Sequence, residues 1–361
     1  MSAVHQVVPS FAARDAVGGH TLAVQRLLRE LGHESDIFTI HAAADVRHLA
    51  RPLKDLPAPA PSTAVVYQCS VGSPAADLLC GRAAGGETLV VDYHNLTPVE
   101  LVAPWDGDLG YALAWGRRQL AALAGVAALG IGDSTVNAED LAAAGFTRTA
   151  VAPVIVDPAG WPGPDPATAQ RLRATKRGTD WLFVGRVVPN KAQHDVLRAF
   201  AWYHAVHDAG ARLHLVGSPA TASYVAAIEQ AVDALGLADA VHLTGSLPDD
   251  ALAAHYREAD VFVCLSDHEG FCVPLLEAMH HELPIVAYAS SAVPETLGGA
   301  GLLLPAKEPA LVAAAVARVA GDAGLRARMV DAGRRRLADL GPERSRTAMA
   351  TALASTLERL P

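Results

Sequence analysis

The chain lacks any uninterrupted apolar stretch of the roughly 18 residues that a bilayer-spanning helix requires. Its N-terminus, Met1-Ser2-Ala3-Val4-His5-Gln6-Val7-Val8, also lacks a basic stretch followed by a long apolar one. Neither a transmembrane helix nor a signal peptide is expected, and the predicted location is the cytoplasm, with peripheral membrane contact left open. Cysteine is scarce. Cys69, Cys80, Cys264 and Cys272 form no C-x-x-C pair, which argues against a zinc knuckle or a thioredoxin-like centre. Four thiols in so long a chain fit a reducing compartment. Cys264 falls within the apolar run Val261–Leu265 and is predicted to be a small core residue. Positive charge is in deficit: 29 Lys and Arg face 38 Asp and Glu, a formal net charge of −9. Such a chain is a poor nucleic-acid binder, and any anionic ligand must be met by a local cluster of cations or by helix N-termini. Several motifs are missing as well. There is no G-x-G-x-x-G, no P-loop, no G-x-S-x-G and, despite fifteen histidines that include His280-His281, no H-E-x-x-H.

What the chain does have is alternation. Strand candidates in the first half are Val4–Val8, Ser35–Ile40, Thr63–Gln68, Thr88–Tyr93 and Val126–Ser134, with helical spacing at Leu22–Leu31 and Leu113–Leu123. In the second half strands are predicted at Trp181–Val184, Leu213–Val216, Val241–Leu243, Val261–Leu265, Ile285–Tyr288 and Leu302–Leu304. Helices are predicted there at Ala192–His207, Ala222–Leu235, Pro248–Glu258, Pro274–His281 and Glu308–Val319. Between the halves, Pro153 to Pro166 holds five prolines in fourteen residues and reads as a connector. Pro52–Pro61 reads as a surface loop, and Gly341–Leu360 as a last helix beginning near Pro342. At 361 residues, 51% hydrophobic and 19% charged, the chain is long enough for two globular domains. The expectation is therefore an α/β protein of two Rossmann-like parallel-sheet domains, 1–155 and 156–340, facing a cleft, with 341–361 as a C-terminal helix. Ligands should bind at the carboxyl ends of the strands.

Four segments carry candidate chemistry. In Asp267-His268-Glu269-Gly270-Phe271-Cys272-Val273-Pro274-Leu275-Leu276-Glu277-Ala278-Met279, Pro274 suits the first helical position. The main-chain N–H groups of Phe271, Cys272 and Val273 would then form an anion site for a diphosphate. Glu277, one turn in, can accept two ribose hydroxyls, and Glu269 can hold sugar hydroxyls. The bland alternative is a surface glutamate before a self-capped helix. In Phe183-Val184-Gly185-Arg186-Val187-Val188-Pro189-Asn190-Lys191, Arg186 and Lys191 can converge on a diphosphate, or be two solvated loop cations. In Arg14-Asp15-Ala16-Val17-Gly18-Gly19-His20, Gly18 and Gly19 allow close backbone approach to a ligand, or simply make a tight turn. His94, in Val90-Val91-Asp92-Tyr93-His94-Asn95-Leu96-Thr97-Pro98, ends a strand and is either a cleft residue or a satisfied structural histidine. Asp106-Gly107-Asp108 looks like a metal-holding D-x-D but follows no strand, so a solvated turn is expected there and no metal.

With these residues in hand, the chain resembles the retaining glycosyltransferase family four, of GT-B fold. The resemblance rests on E-G-F-x-x-P-L-L-E-A-M with seven residues between its two glutamates, the G-R-x-x-P-N-K loop, and Gly245-Ser246-Leu247-Pro248, over most of Thr179–Pro305. Asp15-Ala16-Val17-Gly18, Ser70-Val71-Gly72-Ser73-Pro74 and Tyr93–Pro98 are similar to a bacterial branch with a Y-H-N-I-T-P segment. Leu96 replaces that isoleucine, Gly19 an Asn or Ser, and Cys272 a Gly or Ser. The resemblance implies a hexosyltransferase that uses a nucleoside diphosphate sugar and needs no cofactor or metal. Arg186 and Lys191 would hold the diphosphate, Glu277 the ribose, and Glu269 the transferred sugar. His94 would act near the reacting carbon, and Gly245 and Leu247 near the nucleobase. Gly18, Gly19 and the Gly270–Val273 loop would complete the donor contacts. It also implies a last helix that crosses back to the first half. No second carboxylate is placed as a nucleophile, so a front-face exchange is the expected route to retention. The acceptor, the nucleotide and the oligomeric state stay open. Rival readings are a nucleotide-sugar epimerase of the same architecture, an inactive nucleotide-sugar-binding module and an NAD-dependent dehydrogenase, the last disfavoured by the missing glycine fingerprint.

Overall fold

The computed structural model describes residues 3–12 and 15–358. Arg14, the end of the expected last helix at Arg359-Leu360 and the extreme termini of the expected domains lie outside the described residues. The chain divides into two units. The first comprises 1–99, 108–156 and 340–361, and the second comprises 100–107 and 157–339.

The first unit is built on a seven-stranded parallel sheet of β1 (Ala3–Phe11), β2 (Ile37–Ala42), β3 (Arg51–Pro52), β4 (Thr63–Cys69), β5 (Thr88–Tyr93), β6 (Leu129–Gly132) and β7 (Thr149–Val151), in the order β3-β2-β1-β4-β5-β6-β7. Chain order reverses between β1 and β4, so a crevice opens at their carboxyl ends. Alternate residues on these strands, Val4, Ala64, Val66, Val90 and Ile131, face one core. That core is completed by Met349, Leu353 and Leu357 of the helix Pro342–Leu357, which starts on Gly341 with Pro342 in its first turn.

The second unit has a six-stranded parallel sheet of β8 (Asp180–Val184), β9 (Arg212–Val216), β10 (Val241–Gly245), β11 (Val261–Cys264), β12 (Ile285–Tyr288) and β13 (Leu302–Leu304), in the order β10-β9-β8-β11-β12-β13. Its reversal lies between β8 and β11. Strand alternation sends Trp181, Phe183, Val261 and Val263 to one core, and Leu182, Phe262 and Cys264 to the other. Cores on both faces are what a sheet covered by helices on both sides requires.

Several elements differ from the sequence expectation. Pro52, assigned to a loop, closes the edge strand β3, a place where its missing N–H costs no ladder bond. β7 is three residues long and carries no apolar run. The expected strand Val126–Ser134 contracts to β6, because Asp133 leaves the sheet and the Ser134 side chain caps the helix Thr135–Ala143. Pro166 opens a helix, Pro166–Thr175, whose first turn is capped by Asp165 accepting from the Thr168 N–H at 2.8 Å. The helix expected at Leu22–Leu31 begins at Ala16, so Gly18 and Gly19 lie in its first turn. A Cβ on Gly18 would stand 1.9 Å from the carbonyl oxygen of Ala12, so the glycine brings the helix against the chain's own backbone. Gly19 has open space around its would-be Cβ. Gly18→Ala is therefore expected to destabilise the protein by roughly 1–3 kcal/mol. Gly19→Ala should be near neutral, and urea midpoints of the two variants compare them directly.

A histidine group lies away from these loops. The His214 ring in β9 sits 5.1 Å from that of His242 and 5.5 Å from that of His255. Burial, then the like charges His255 and His242 would carry, lower the His214 pKa to about 3. Unfolded, the same side chain takes up a proton near pH 6.5. The neutral form is favoured by folding, so this contribution is present above pH 6.5 and is lost as the pH falls from 6.5 toward 3. His214→Phe should therefore gain roughly 1–3 kcal/mol on the wild type between pH 7 and pH 4.5. Urea unfolding at the two pH values reads this, and parallel pH dependence in both proteins would refute it.

Candidate donor and acid–base sites

The two motif-bearing loops of the second unit leave β8 and β11, the strands that flank its order reversal. Hydrogen bonds tie the loops together. The Asp267 N–H donates to the Asn190 carbonyl at 2.8 Å, and Asn190 Nδ2 donates to the His268 carbonyl at 3.2 Å. Gln193 Nε2 donates to the Arg186 carbonyl at 2.8 Å. The neighbouring β9 loop presses in so closely that a Cβ on Gly217 would stand 2.0 Å from the Gly185 carbonyl oxygen.

Within this frame Lys191 Nζ lies 2.6 Å from both Oε1 and Oε2 of Glu269. The Glu269 side chain is 6% exposed and that of Lys191 is 19% exposed, so the pair is largely desolvated. Burial alone would lower the lysine pKa, but Glu269 outweighs it and the pKa is raised. Lys191 is thus not a solvated loop cation. Arg186 is exposed and makes no ion pair among the described residues.

The chain then reaches Cys272, which adopts a left-handed conformation (φ 75°, ψ 65°) and precedes the helix Val273–His280. That conformation is costly for a residue with a Cβ and is held by packing: Cys272 Sγ lies 3.9 Å from Cys264 Sγ, and Thr296 Oγ1 donates to the Phe271 carbonyl at 2.6 Å. Pro274 occupies the second helical position, one residue later than expected. Among the described residues no protein group accepts a hydrogen bond from the main-chain N–H of Gly270, Phe271, Cys272 or Val273. Glu277, one turn in, accepts a hydrogen bond from Tyr256 Oη at 2.6 Å. Burial raises its carboxyl pKa, against the lowering effect of the tyrosine.

Gly245 ends β10 with φ 69° and its carbonyl accepts from the Gly217 N–H at 3.0 Å. Leu247 packs on the core that contains Cys272 and Leu275. Asp106 precedes the helix Gly107–Ala124, and the exposed Asp108 lies in its first turn. Lys307 was not singled out in the sequence. It bridges Asp195 and Asp267, at 2.6 Å to each, and so braces the loop before Glu269. It lies in no motif, and its partners are far away in the chain.

In the first unit His94 follows β5. It does not present a free ring: its side chain is 3% exposed, Nδ1 lies 2.9 Å from Asp133 Oδ2, and Nε2 lies 2.5 Å from Gln68 Oε1. Burial opposes charging it, but Asp133 and Asp92 prevail and push its pKa up to about 9. Beside it is His20, bonded through Nε2 to Asp92 Oδ2 at 3.0 Å. No sequence signal marks His20, Gln68 or Asp133 as neighbours of His94, because strand order alone brings them together.

Residues 166–336 match the family described as Glycosyl transferases group 1. The chain is 34% identical over 197 residues to the D-inositol 3-phosphate glycosyltransferase of Geodermatophilus obscurus, covering 52% of this chain and 43% of that protein. With the protein of the same name from Acidothermus cellulolyticus the identity is 32% over 266 residues, covering 69% and 58%. The matches thus span about half the length of these relatives. Anabaena HepE, solved in complex with UDP, superposes with a TM-score of 0.74 at 18% identity, covering 98% of this chain and 100% of that one. With two Rossmann-like parallel-sheet units the chain has the GT-B fold, and its second unit is similar to the glycosyl transferases group 1 family over residues 166–336.

Proposed function

We propose that the protein is a retaining, metal-independent glycosyltransferase that moves a hexosyl group from a nucleoside diphosphate sugar to a hydroxyl acceptor. One observation carries the reading. At the order reversal of the second sheet, Lys191, Glu269 and the unpartnered N–H groups of Gly270–Val273 are gathered by loops bonded to each other. Unpartnered N–H groups at a helix start favour a diphosphate. Arg186 and Lys191 add positive charge for the leaving group, whose negative charge grows in the transition state. Glu277 offers its carboxylate to the ribose, and Glu269 offers its own to the transferred sugar. Gly245 and Leu247 border the nucleobase, and Gly19 leaves room for donor approach in the first unit. We assign His94 to the transferred sugar. The acceptor hydroxyl gives its proton to the departing phosphate oxygen while its oxygen bonds the anomeric carbon on the face the phosphate leaves. The names of the relatives and the UDP held by HepE support a nucleotide sugar as donor.

The four cysteines are free, which fits a cytoplasmic protein. No helix among the described residues is long and apolar enough to cross a membrane.

A thermal-shift panel of UDP-, GDP- and TDP-sugars tests the donor, since binding at a hundredfold excess over Kd stabilises by about 2.7 kcal/mol. One nucleotide series should stand out, Arg186→Ala should weaken it, and transfer to an added hydroxyl acceptor should survive EDTA. Chelation that abolishes turnover, with Mg²⁺ or Mn²⁺ restoring it, would return Asp106 and Asp108 to consideration. Isomerised nucleotide sugar formed without acceptor would identify an epimerase instead.

A further inference from the structure

Buried side chains of the first unit form one directed chain of hydrogen bonds that ends on His94. It starts at the main-chain carbonyl of Thr21, which accepts from Gln6 Nε2 at 2.9 Å. A carbonyl oxygen can only accept, so Gln6 must turn its amide nitrogen to Thr21 and its oxygen away. Gln6 Oε1 then accepts from Gln68 Nε2 at 3.0 Å, which turns Gln68 Oε1 toward His94, 2.5 Å from Nε2. That oxygen also can only accept, so His94 Nε2 carries a hydrogen. On the other side of the ring, Nδ1 faces the Asp133 carboxylate at 2.9 Å and donates to it. An imidazole that donates from both nitrogens is a cation. Gln6 and Gln68 are wholly buried, so solvent offers neither amide an alternative partner.

The neighbouring ring is fixed in the opposite sense. His20 Nδ1 accepts the Ile155 N–H at 2.9 Å, so its single hydrogen sits on Nε2 and is donated to Asp92 Oδ2 at 3.0 Å. His20 is therefore neutral, edge-on to His94 with ring centroids 5.3 Å apart. The charged groups acting on His94 are Asp133 just after β6, Asp92 on β5 and Asp15 at the start of the helix Ala16–Glu30. All three are acidic and support a cation.

We propose that Gln6 and Gln68 are positioning residues that hold His94 as a doubly protonated imidazolium, so that it serves the reaction as a fixed cation and not as a base. The inference rests on the transferase reading for its consequence, but not for its test. If His94 takes up no proton, the acceptor hydroxyl must release its proton elsewhere, and the departing phosphate oxygen is the group that gains basicity as the anomeric C–O bond breaks.

The experiment is long-range ¹H–¹⁵N spectroscopy of the full chain labelled at histidine, between pH 6 and pH 9. His94 is assigned by the signals lost in His94→Gln. In the wild type both His94 nitrogens should show protonated shifts up to about pH 8, whereas His20 should show one protonated and one bare nitrogen. Gln6→Leu does not touch His94 but frees Gln68 to rotate and offer the ring its NH₂ group. His94 should then titrate at least about one pH unit lower, and the pH–rate profile should gain an inflection that the wild type lacks. A packing role for Gln6 would lower Tm and leave the titration in place. A bare His94 nitrogen in the wild type at pH 7, or an unmoved titration in Gln6→Leu, would overturn the proposal. The wild-type spectrum decides alone should Gln6→Leu not fold. The spectra need no substrate, so a protein without transfer activity still answers the question.

Discussion

Replacing Lys191 by Met is expected to cost both stability and turnover, and most of the stability cost should vanish when Glu269 is replaced by Gln in the same chain. Lys191 reaches both carboxylate oxygens of a side chain that is only 6% exposed. Removing one partner of a buried ion pair strands the other charge, typically at a cost of about 3–5 kcal/mol, whereas removing both together can be nearly neutral. The double-mutant cycle should therefore show strong coupling. Turnover should behave differently. Lys191 is assigned a charge-assisted contact to the leaving group, worth about 1.5–3 kcal/mol, or roughly ten- to hundredfold in rate. That loss is not repaired by Glu269→Gln, so the double variant should be stable and slow. Stability changes that simply add would show the pair to be weak, and a wild-type rate in Lys191→Met would remove the lysine from the site.

The two glutamates should fail in different ways. Glu277 is assigned to the ribose, which is unchanged by the reaction, so its contacts serve ground state and transition state alike. Glu277→Gln should mainly raise KM for the donor. Tyr256 adds a structural reason to expect an incomplete loss. Its hydroxyl donates to Glu277 at 2.6 Å, and the Gln carbonyl oxygen can still accept that bond. Glu269 is assigned to the transferred sugar, where positive charge develops, so Glu269→Gln should lower kcat. The same change loosens Lys191, so the fall should exceed what one lost hydrogen bond explains. Melting temperatures measured beside the steady-state kinetics separate this from unfolding. Unchanged kcat and KM in both variants would sink the assignment of the donor pocket.

Much of the architecture was legible because its strands are short apolar or β-branched runs bounded by helical spacing. Thr88–Tyr93, Ile285–Tyr288 and Leu302–Leu304 begin and end where the sequence pattern does. What the pattern could not supply is strand order. Nothing in the sequence says that β8 lies beside β11, yet that neighbourhood brings Lys191 to Glu269 across 78 positions. The same holds for His94, whose partners arrive from β4 and from the residue after β6. Gly18 shows the converse limit. Two adjacent glycines read alike in the sequence, yet a Cβ on Gly18 would meet the carbonyl of Ala12 while one on Gly19 would meet open space. A glycine declares a close approach without naming what approaches.

The helix Pro342–Leu357 gives the chain a particular order of birth. It supplies Met349, Leu353 and Leu357 to the core that begins with Val4, although the whole second unit lies between them in sequence. Synthesis runs from the N-terminus, and domains tend to fold as they emerge from the ribosome. Here the unit begun first cannot close its core until that helix is released, while residues 157–339 already hold everything their own cores need. The nascent chain must therefore carry an unfinished first unit while the second is made, and the second unit is free to mature ahead of it.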